Sequence, residues 1–254
     1  MTDSNPNPAP QAPLGDYQVE GRVVAAGRGW DWIVEAFALF RKQPGIWILM
    51  ALALGAMFIV LGLIPLLGSF ASALLFPIFA GGLMLGCKDL DRNGPFEFEY
   101  LFAGFRQKTG DLVMVGAFNL IGWVVIAFVI VTVIGGGVFM GVMRGGMEGA
   151  GLSIVSMLIA MLLVAGMSVP LYMATWFAPV LIVLHDMSAA AALKASFFAC
   201  LRNWLPFLVY GLVLMAASMI AAIPFGLGFL VLVPVLVASI YTAYRDIFCA
   251  GLQT

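Results

Sequence analysis

AFALFRKQPGIWILM (residues 36–50) passes from an amphipathic stretch to an arginine, a proline–glycine pair and an apolar run. Two related stretches follow it in the chain: LFAGFRQKTGDLVMV (101–115) and, more faintly, FACLRNWLPFLVYG (198–211). Their alignment places an arginine at the same position in each stretch: Arg41, Arg106 and Arg202. It also places a helix breaker shortly after each arginine: Pro44-Gly45, Thr109-Gly110 and Leu205-Pro206. One structural unit is therefore predicted to occur three times.

The composition excludes a soluble domain. Of the 254 residues, 63% are hydrophobic and only 10% are charged, which leaves too little polar surface to cover a water-soluble core. Several apolar runs have the length of about 20 residues that spans a hydrocarbon core of roughly 30 Å. Their continuity favours helices over barrel strands, which are about ten residues long and alternate in polarity. We predict an all-α integral membrane protein.

Six transmembrane helices are predicted, at about 46–67, 69–87, 112–134, 152–175, 205–223 and 227–244. Tight turns join the first and third pairs, and a glycine-rich loop over 135–151 joins the second pair. The fourth span is expected to continue towards Leu184 with kinks at Pro170 and Pro179.

A short amphipathic segment precedes each odd-numbered span. The apolar stripes are Trp30, Ile33, Val34, Phe37 and Phe40, then Phe98, Leu101, Phe102 and Phe105, then Leu193, Phe197, Leu201 and Trp204. Such segments lie in the plane of the membrane interface, and a breaker lets the chain turn from there into the bilayer. Ser188 can cap the third segment, and Asp111 suits the N-terminus of the third span.

The predicted domain organisation follows from this pattern. Residues 1–28, rich in Pro and Asn at their start, form a disordered cytoplasmic tail with no signal-peptide pattern. Residues 29–254 form a single six-helix membrane domain, built of repeats at about 29–89, 90–186 and 187–248. Because each repeat contains two spans, all three point the same way across the membrane.

The basic residues predict the orientation. Eleven of the twelve Lys and Arg residues fall in the tail, between the hairpins or near the C-terminus, and Arg144 alone lies on the other side. Orientation follows Lys and Arg in short loops, so both termini are expected in the cytoplasm.

Three parts of the chain carry a family resemblance: GRGWDWIVEAFALFRKQPGIW (27–47), PIFAGGLMLGCKDLDRNG (77–94) with FEYLFAGF (98–105), and SAAAALKASFFACLRNWLPFLVYGLV (188–213). They resemble a family of uncharacterised six-span proteobacterial inner-membrane proteins. The chain is also similar, more loosely, to YciC-like proteins and to the membrane domain fused to some glycerophosphodiester phosphodiesterases. The resemblance implies a location in the bacterial inner membrane, and it implies no activity.

The sequence shows no convergent set of nucleophile, base or metal ligands. The single histidine, His185, adjoins Asp186, and adjacent helical residues point in different directions, so an interfacial structural pair is expected. Cys87, Cys200 and Cys249 are too scattered for a disulfide scaffold or a zinc site and are expected to be inert thiols. We expect no enzyme activity, no metal and no cofactor. The net charge of −1 gives no general attraction to nucleic acid.

The predicted spans contain no Asp, Glu, Lys, Arg or His, residues that ion-coupled transporters usually carry at membrane depth. Asn119 is the one side-chain amide within a span, and an interhelical hydrogen bond is its expected role.

The aligned residues Arg41, Arg106 and Arg202 are the candidate contacts for lipid head groups. They act either as three independent interface anchors or as one cytoplasmic collar that gathers anionic lipid. Membrane lipids are the expected partners, with membrane proteins as further candidates. A lipid-handling or envelope-maintenance protein ranks first, ahead of a membrane scaffold and of a channel or carrier for a small neutral solute. A lateral opening between hairpins favours the first, a bundle without cavities the second, and a continuous polar pore the third.

The predicted topology is testable with reporter fusions. Fusions after residues 92 and 250 are expected to report a cytoplasmic location, and a fusion after residue 147 a periplasmic one, because of the Lys and Arg asymmetry. Opposite signals at two of these positions would contradict six spans with both termini inside.

Overall fold

The computed structural model describes residues 16–250. Its regular elements are helices, apart from a two-residue antiparallel pairing of β1 (Asp16–Tyr17) with β2 (Cys249–Ala250). The helices are α1 (Arg28–Lys42), α2 (Pro44–Gly62), α3 (Leu67–Asp91), α4 (Tyr100–Ala103), α5 (Thr109–Arg144), α6 (Gly146–Trp176), α7 (Ala178–His185), α8 (Ala189–Arg202), α9 (Trp204–Ala222) and α10 (Phe229–Phe248).

Within the described residues, six helical segments are long enough and apolar enough to cross a membrane: α2, α3, α5, α6 continued by α7, α9 and α10. The predicted all-α class with six transmembrane helices is confirmed. The segments form three hairpins that start and finish at one end of the molecule. We call this end the base, which also holds α1, α4 and α8, and we call the connections near residues 63–66, 145 and 223–228 the tips. The threefold equivalence of the hairpins stays a prediction.

Buried side chains concentrate in α3, α10 and the base. About half of the most apolar window of α3 and α10 is buried, at 50% and 56%, against 17% or less in the other spans. Aromatic rings join the helices at the base: the ring centroids of Trp32 and Phe207 are 5.3 Å apart, and those of Phe177 and Phe248 are 5.5 Å apart. The other spans therefore surround a small core and leave most of their apolar surface for lipid.

The joints between in-plane and spanning helices lie where the breakers are. A single residue, Gln43, separates α1 from α2, which starts at Pro44, where the missing N–H of proline costs no hydrogen bond. Asn203 separates α8 from α9 in the same way. Before α5 the backbone turns at Lys108, whose φ of 52° is left-handed.

The second amphipathic segment differs from its prediction. Only the four residues of α4 are α-helical, and the segment packs closely on α3 instead of forming a longer helix. Gly104 allows this close packing, since a Cβ on Gly104 would lie 2.0 Å from the carbonyl oxygen of Ile78.

The N-terminus of α8 is capped by a residue other than the one predicted. Ser188 precedes α8 but makes no side-chain capping bond. The Asp111 carboxylate accepts the N–H of Ala189 at 2.8 Å instead. Asp111 thus binds at the start of α8 while it lies in the first turn of α5.

The glycine-rich segment 135–151 is not a loop, contrary to the prediction. α5 runs to Arg144 and α6 starts at Gly146, so Gly145, with φ of 64°, is the whole connection. Glycines allow this pairing because a Cβ on Gly141 would lie 2.5 Å from Ser153 Oγ. The 36 residues of α5 make a helix of about 54 Å, whereas the 19 residues of α2 make one of about 28 Å.

The fourth span is interrupted near one of the two predicted prolines. α6 contains Pro170 and ends at Trp176. After the single residue Phe177, α7 starts at Ala178 with Pro179 in its first turn. The span then continues to His185, one residue past the predicted limit.

Residues 16–27 are not a disordered tail, which corrects the prediction for that part of 1–28. Gln18 donates its N–H to the Phe248 carbonyl at 2.9 Å. The Asn203 side chain accepts the N–H of Val24 at 2.9 Å and donates to the Arg22 carbonyl at 3.0 Å. The free carbonyls at the end of α10 and the Asn203 amide thus bind the segment like a strand edge. Residues 1–15 lie outside the described part of the chain.

The Asp246 carboxylate holds this N-terminal segment, α1 and α10 together. It accepts hydrogen bonds from Arg22 at 2.8 Å, Arg28 at 2.6 Å and the Trp32 indole at 2.9 Å, and its side chain is only 7% exposed. Burial acts to lower the pKa of Arg28, but the hydrogen bonds and charges of Asp246 and Glu35 together outweigh it and raise that pKa. Arg28 therefore stays charged, as the pairing requires.

The ion pairs continue across the base to α3. Glu35 accepts bonds from Arg28 at 3.0 Å and from Arg245 at 2.7 Å. Arg245 also donates to both carboxylate oxygens of Asp91, at 2.8 and 2.9 Å. The C-terminal ends of α3 and α10 are thereby fixed to α1.

Replacing Asp246 by Asn is expected to destabilise the protein by roughly 3 kcal/mol, because it leaves two arginines without their buried anion. Thermal unfolding of the detergent-solubilised protein would measure this as a lowered Tm. Asp186→Asn is the matched control, since Asp186 is 81% exposed and pairs with Lys108 at the surface, where a pair contributes less than about 1 kcal/mol. Equal Tm shifts for the two variants would contradict the central role of Asp246.

Candidate functional site

Helix α8 is fixed across the interruption between α6 and α7 by Ser196, which is fully buried. Its hydroxyl accepts the N–H of Phe177 at 2.9 Å and donates to the Met173 carbonyl at 2.7 Å. Both backbone groups lie at the helix break, where the regular helical bonds are lost. One side chain therefore satisfies the break and positions α8 over the α5–α6 hairpin.

A groove of about 480 Å³ lies between α8 and this hairpin. Its walls are apolar, with one exception, and are formed by Phe118, Gly122, Val125, Ile126, Met167, Pro170, Leu171, Ala174, Leu193, Phe197 and Phe198. Gly122 allows α5 to approach α6 here, since a Cβ at this position would lie 2.6 Å from Leu171 Cδ1. The volume is within the range of about 300–1,000 Å³ that is usual for small-molecule sites.

The groove opens sideways, towards the lipid that surrounds the bundle. Phe118 is 42% exposed and Val125 is 46% exposed, although both line it. From Phe118 to Ile126 the α5 wall rises about 12 Å at 1.5 Å per residue. This is close to the thickness of one hydrocarbon leaflet, about 15 Å.

Lys194 is the exception in the apolar lining and lies at the base end of the groove. It is exposed, and within residues 16–250 it has no ion pair or side-chain hydrogen bond. An ammonium group on a long apolar stem, next to an apolar groove, can bind an anion at the interface while the stem stays in contact with the groove.

A second cavity of about 400 Å³ adjoins the groove and shares Lys194 and Phe198 with it. Its other lining residues come from the N-terminal segment and α8 or its approach: Val19, Glu20, Met187, Ala191, Ala195 and Arg202. Lys194, Phe198 and Arg202 are spaced by four residues and therefore follow one side of α8. The two cavities thus form one surface that is apolar along the hairpin and charged at the base.

Arg202 is paired in this second cavity. Both terminal nitrogens of its guanidinium group lie 3.3 Å from one carboxylate oxygen of Glu20, and one of them donates to the Glu20 carbonyl at 3.1 Å. The pair is exposed, with 44% of the Arg202 side chain and 81% of the Glu20 side chain accessible.

The three arginines proposed from the sequence lie in different surroundings. All are exposed: Arg41 near the end of α1, Arg106 after α4 and Arg202 at the end of α8. Within the described residues no hydrogen bond or ion pair joins them to one another. Arg202 alone among them lines a cavity described above. A collar made of all three stays a prediction.

Lys194 was not predicted as a site residue, because the matching positions of the other two amphipathic segments hold Ile33 and Phe98. The signal was its spacing from Phe198 and Arg202 in the third amphipathic segment. Asn119 does not make the interhelical hydrogen bond expected of it, since within the described part of the chain its side chain has no hydrogen bond to another helix.

The remaining polar candidates have separate partners. His185 hydrogen-bonds with the Tyr244 hydroxyl, whereas Asp186 pairs with Lys108 at 3.0 Å, so the two adjacent residues do not act on one another. Cys87, Cys200 and Cys249 are buried and form no disulfide with one another. Burial raises the pKa of the Cys200 thiol to about 12. No group of three or more metal-binding side chains lies together within residues 16–250.

Comparison with known proteins identifies a relative along nearly the whole chain. A protein of Burkholderia thailandensis named "Probable inner membrane protein" is 30% identical over 91% of this chain and 93% of its own length. No family model matches the chain, and no solved structure matches it significantly. At this identity and coverage, the protein belongs to the same family of bacterial inner membrane proteins as its Burkholderia thailandensis relative.

Proposed function

We propose that this inner membrane protein binds a phospholipid of the cytoplasmic leaflet, as part of lipid handling or envelope maintenance. The observation that carries the proposal is the groove between α8 and the α5–α6 hairpin, which is open to the bilayer and has Lys194 at its rim. An acyl chain in the groove would contact only apolar walls. The lipid phosphate would then lie at the level of the ammonium group of Lys194.

Two physical arguments favour a lipid over a polar solute. A polar molecule in the groove would lose its hydration without gaining hydrogen bonds, since the lining has one charged group and is otherwise apolar. A hydrocarbon chain loses nothing of this kind, and it reaches the groove directly from the surrounding bilayer. The proposal involves no chemical step, in keeping with the expectation that the protein is not an enzyme.

The orientation is part of the proposal. The Lys and Arg asymmetry supports a cytoplasmic base, with both termini inside the cell. The groove would then draw from the cytoplasmic leaflet, whose anionic lipids attract basic residues. The looser similarity to YciC-like proteins and to the membrane domains of some glycerophosphodiester phosphodiesterases stays a prediction. It is compatible with a role in lipid handling.

A scaffold role has one observation in its favour. The tip of the α5–α6 hairpin exposes large apolar side chains, among them Val142 at 77% and Met147 at 91%. A partner protein in the membrane could cover them. Crosslinking from a cysteine at residue 142 in native membranes would show a discrete protein adduct if this role applies.

Filling the groove tests the lipid proposal. Val125→Trp places an indole in the groove and is expected to lower the phospholipid retained by the purified protein at least several-fold, as measured by native mass spectrometry. Val124→Trp is the matched control, because Val124 is the next residue on α5, is 55% exposed and does not line the groove.

The control separates a blocked groove from damage to the fold. Both variants should reach the membrane in equal amounts and unfold at similar temperatures. Equal retention of phospholipid by the two variants, or none by the unmodified protein, would contradict lipid binding in this groove.

A further inference from the structure

The second cavity shares Lys194 with the apolar groove and adds two further charged residues, Glu20 and Arg202. Lys194 and Arg202 line it from α8, and Glu20 lines it from the N-terminal segment. Glu20 is its single acidic lining residue among those described, and its carboxylate lies on the fork of Arg202. Guanidinium forks of this kind bind carboxylates and phosphates with the same geometry.

The Glu20–Arg202 ion pair is weak enough for another anion to displace the carboxylate from Arg202. Its contacts are 3.3 Å long and both side chains are exposed, and such pairs contribute little to stability. The N-terminal segment does not depend on the pair, because the backbone of Arg22 and Val24 is bound elsewhere. The Ile247 carbonyl accepts the N–H of Arg22, and the Asn203 side chain binds the Arg22 carbonyl and the N–H of Val24. The Glu20 carboxylate can therefore leave Arg202 without release of the segment.

When the Glu20 carboxylate moves away from Arg202, the side chains of Lys194 and Arg202 remain in the cavity as two cations without an anion beside them. A phosphate competes well for that place, since it has more acceptor oxygens and more charge than a carboxylate. A lipid whose acyl chain lies in the groove brings its phosphate there, since the two cavities meet at Lys194 and Phe198.

We propose that the second cavity is the head-group site for an anionic phospholipid, whose phosphate replaces the Glu20 carboxylate on Arg202. This rests on the proposed function and adds to it a lipid class and a competing side chain. An anionic head group is favoured over a zwitterionic one, because an amine on the head group would lie near Lys194 and Arg202 and be repelled.

The test uses the full-length protein in nanodiscs made of equal parts phosphatidylglycerol and phosphatidylethanolamine. After extraction into detergent, native mass spectrometry counts each lipid retained per protein. Glu20→Gln is expected to raise retained phosphatidylglycerol about fivefold, the change expected for one unit of charge near an anionic group, with little change in phosphatidylethanolamine. Arg202→Lys is expected to lower retained phosphatidylglycerol, because the ammonium group lacks the fork.

Two matched variants control for net charge and for basic residues elsewhere at the base. Glu148→Gln removes the same charge at the tip of the α5–α6 hairpin and should leave both lipids unchanged. Arg92→Lys changes an exposed arginine at the end of α3, outside both cavities, and should also have no effect.

The outcomes separate this inference from the proposed function. If Val125→Trp lowers lipid retention as predicted but Glu20→Gln retains no more phosphatidylglycerol than the unmodified protein, the head-group site is wrong and the groove stands. An equal rise in both lipids for Glu20→Gln would also overturn the head-group site. Stabilisation by inorganic phosphate alone, with no retained lipid in any variant, would overturn both.

Discussion

The Asp246 carboxylate is the acceptor on which the arrangement of the base depends. It is almost fully buried and binds two arginines and an indole that come from the N-terminal segment and α1. A buried anion needs such donors, so the start of the chain is drawn onto the end of α10. The N-terminal segment then forms one wall of the charged cavity, which places Glu20 beside Arg202. The ion pairs of Asp246, which does not line either cavity, thus determine which side chains lie at the charged end of the groove.

The proposed lipid site lies where three separate segments of the chain meet. The N-terminal segment, the α5–α6 hairpin and α8 each supply one side, and none of them forms a cavity by itself. Ser196 is decisive for this meeting, because its hydroxyl satisfies the broken helix at Phe177 and fixes the height of α8. The same break could not be left in lipid without a partner for its free N–H. The two hydrogen bonds of Ser196 therefore both satisfy the interruption and position one wall of the site.

The sequence predicted what depends on local pattern. Apolar run lengths gave the six spans, and the breakers Pro44 and Pro179 lie near helix ends in the structure. It could not predict features that depend on contacts between distant segments. Glycines over 135–151 suggested a loop, but Gly141 faces Ser153 and allows two long helices to pair. The polar start of the chain suggested disorder up to residue 28, but Asn203 and Asp246 bind part of it, and both are more than 170 residues away. The cavity at Lys194 has the same origin, since its walls come from segments far apart in sequence.

The unequal hairpins give the protein two different hydrophobic thicknesses. α5 has no charged residue between Asp111 and Arg144, and its length exceeds a hydrocarbon core of roughly 30 Å, which the 19-residue helices α2 and α9 match. A long apolar helix must tilt, or the bilayer beside it must thicken, and the cost rises with the mismatch. Where α5 does not tilt fully, the surrounding bilayer is therefore under unequal stress around one molecule. Lipids with longer acyl chains reduce that stress beside α5 and α6, the flank on which the groove opens.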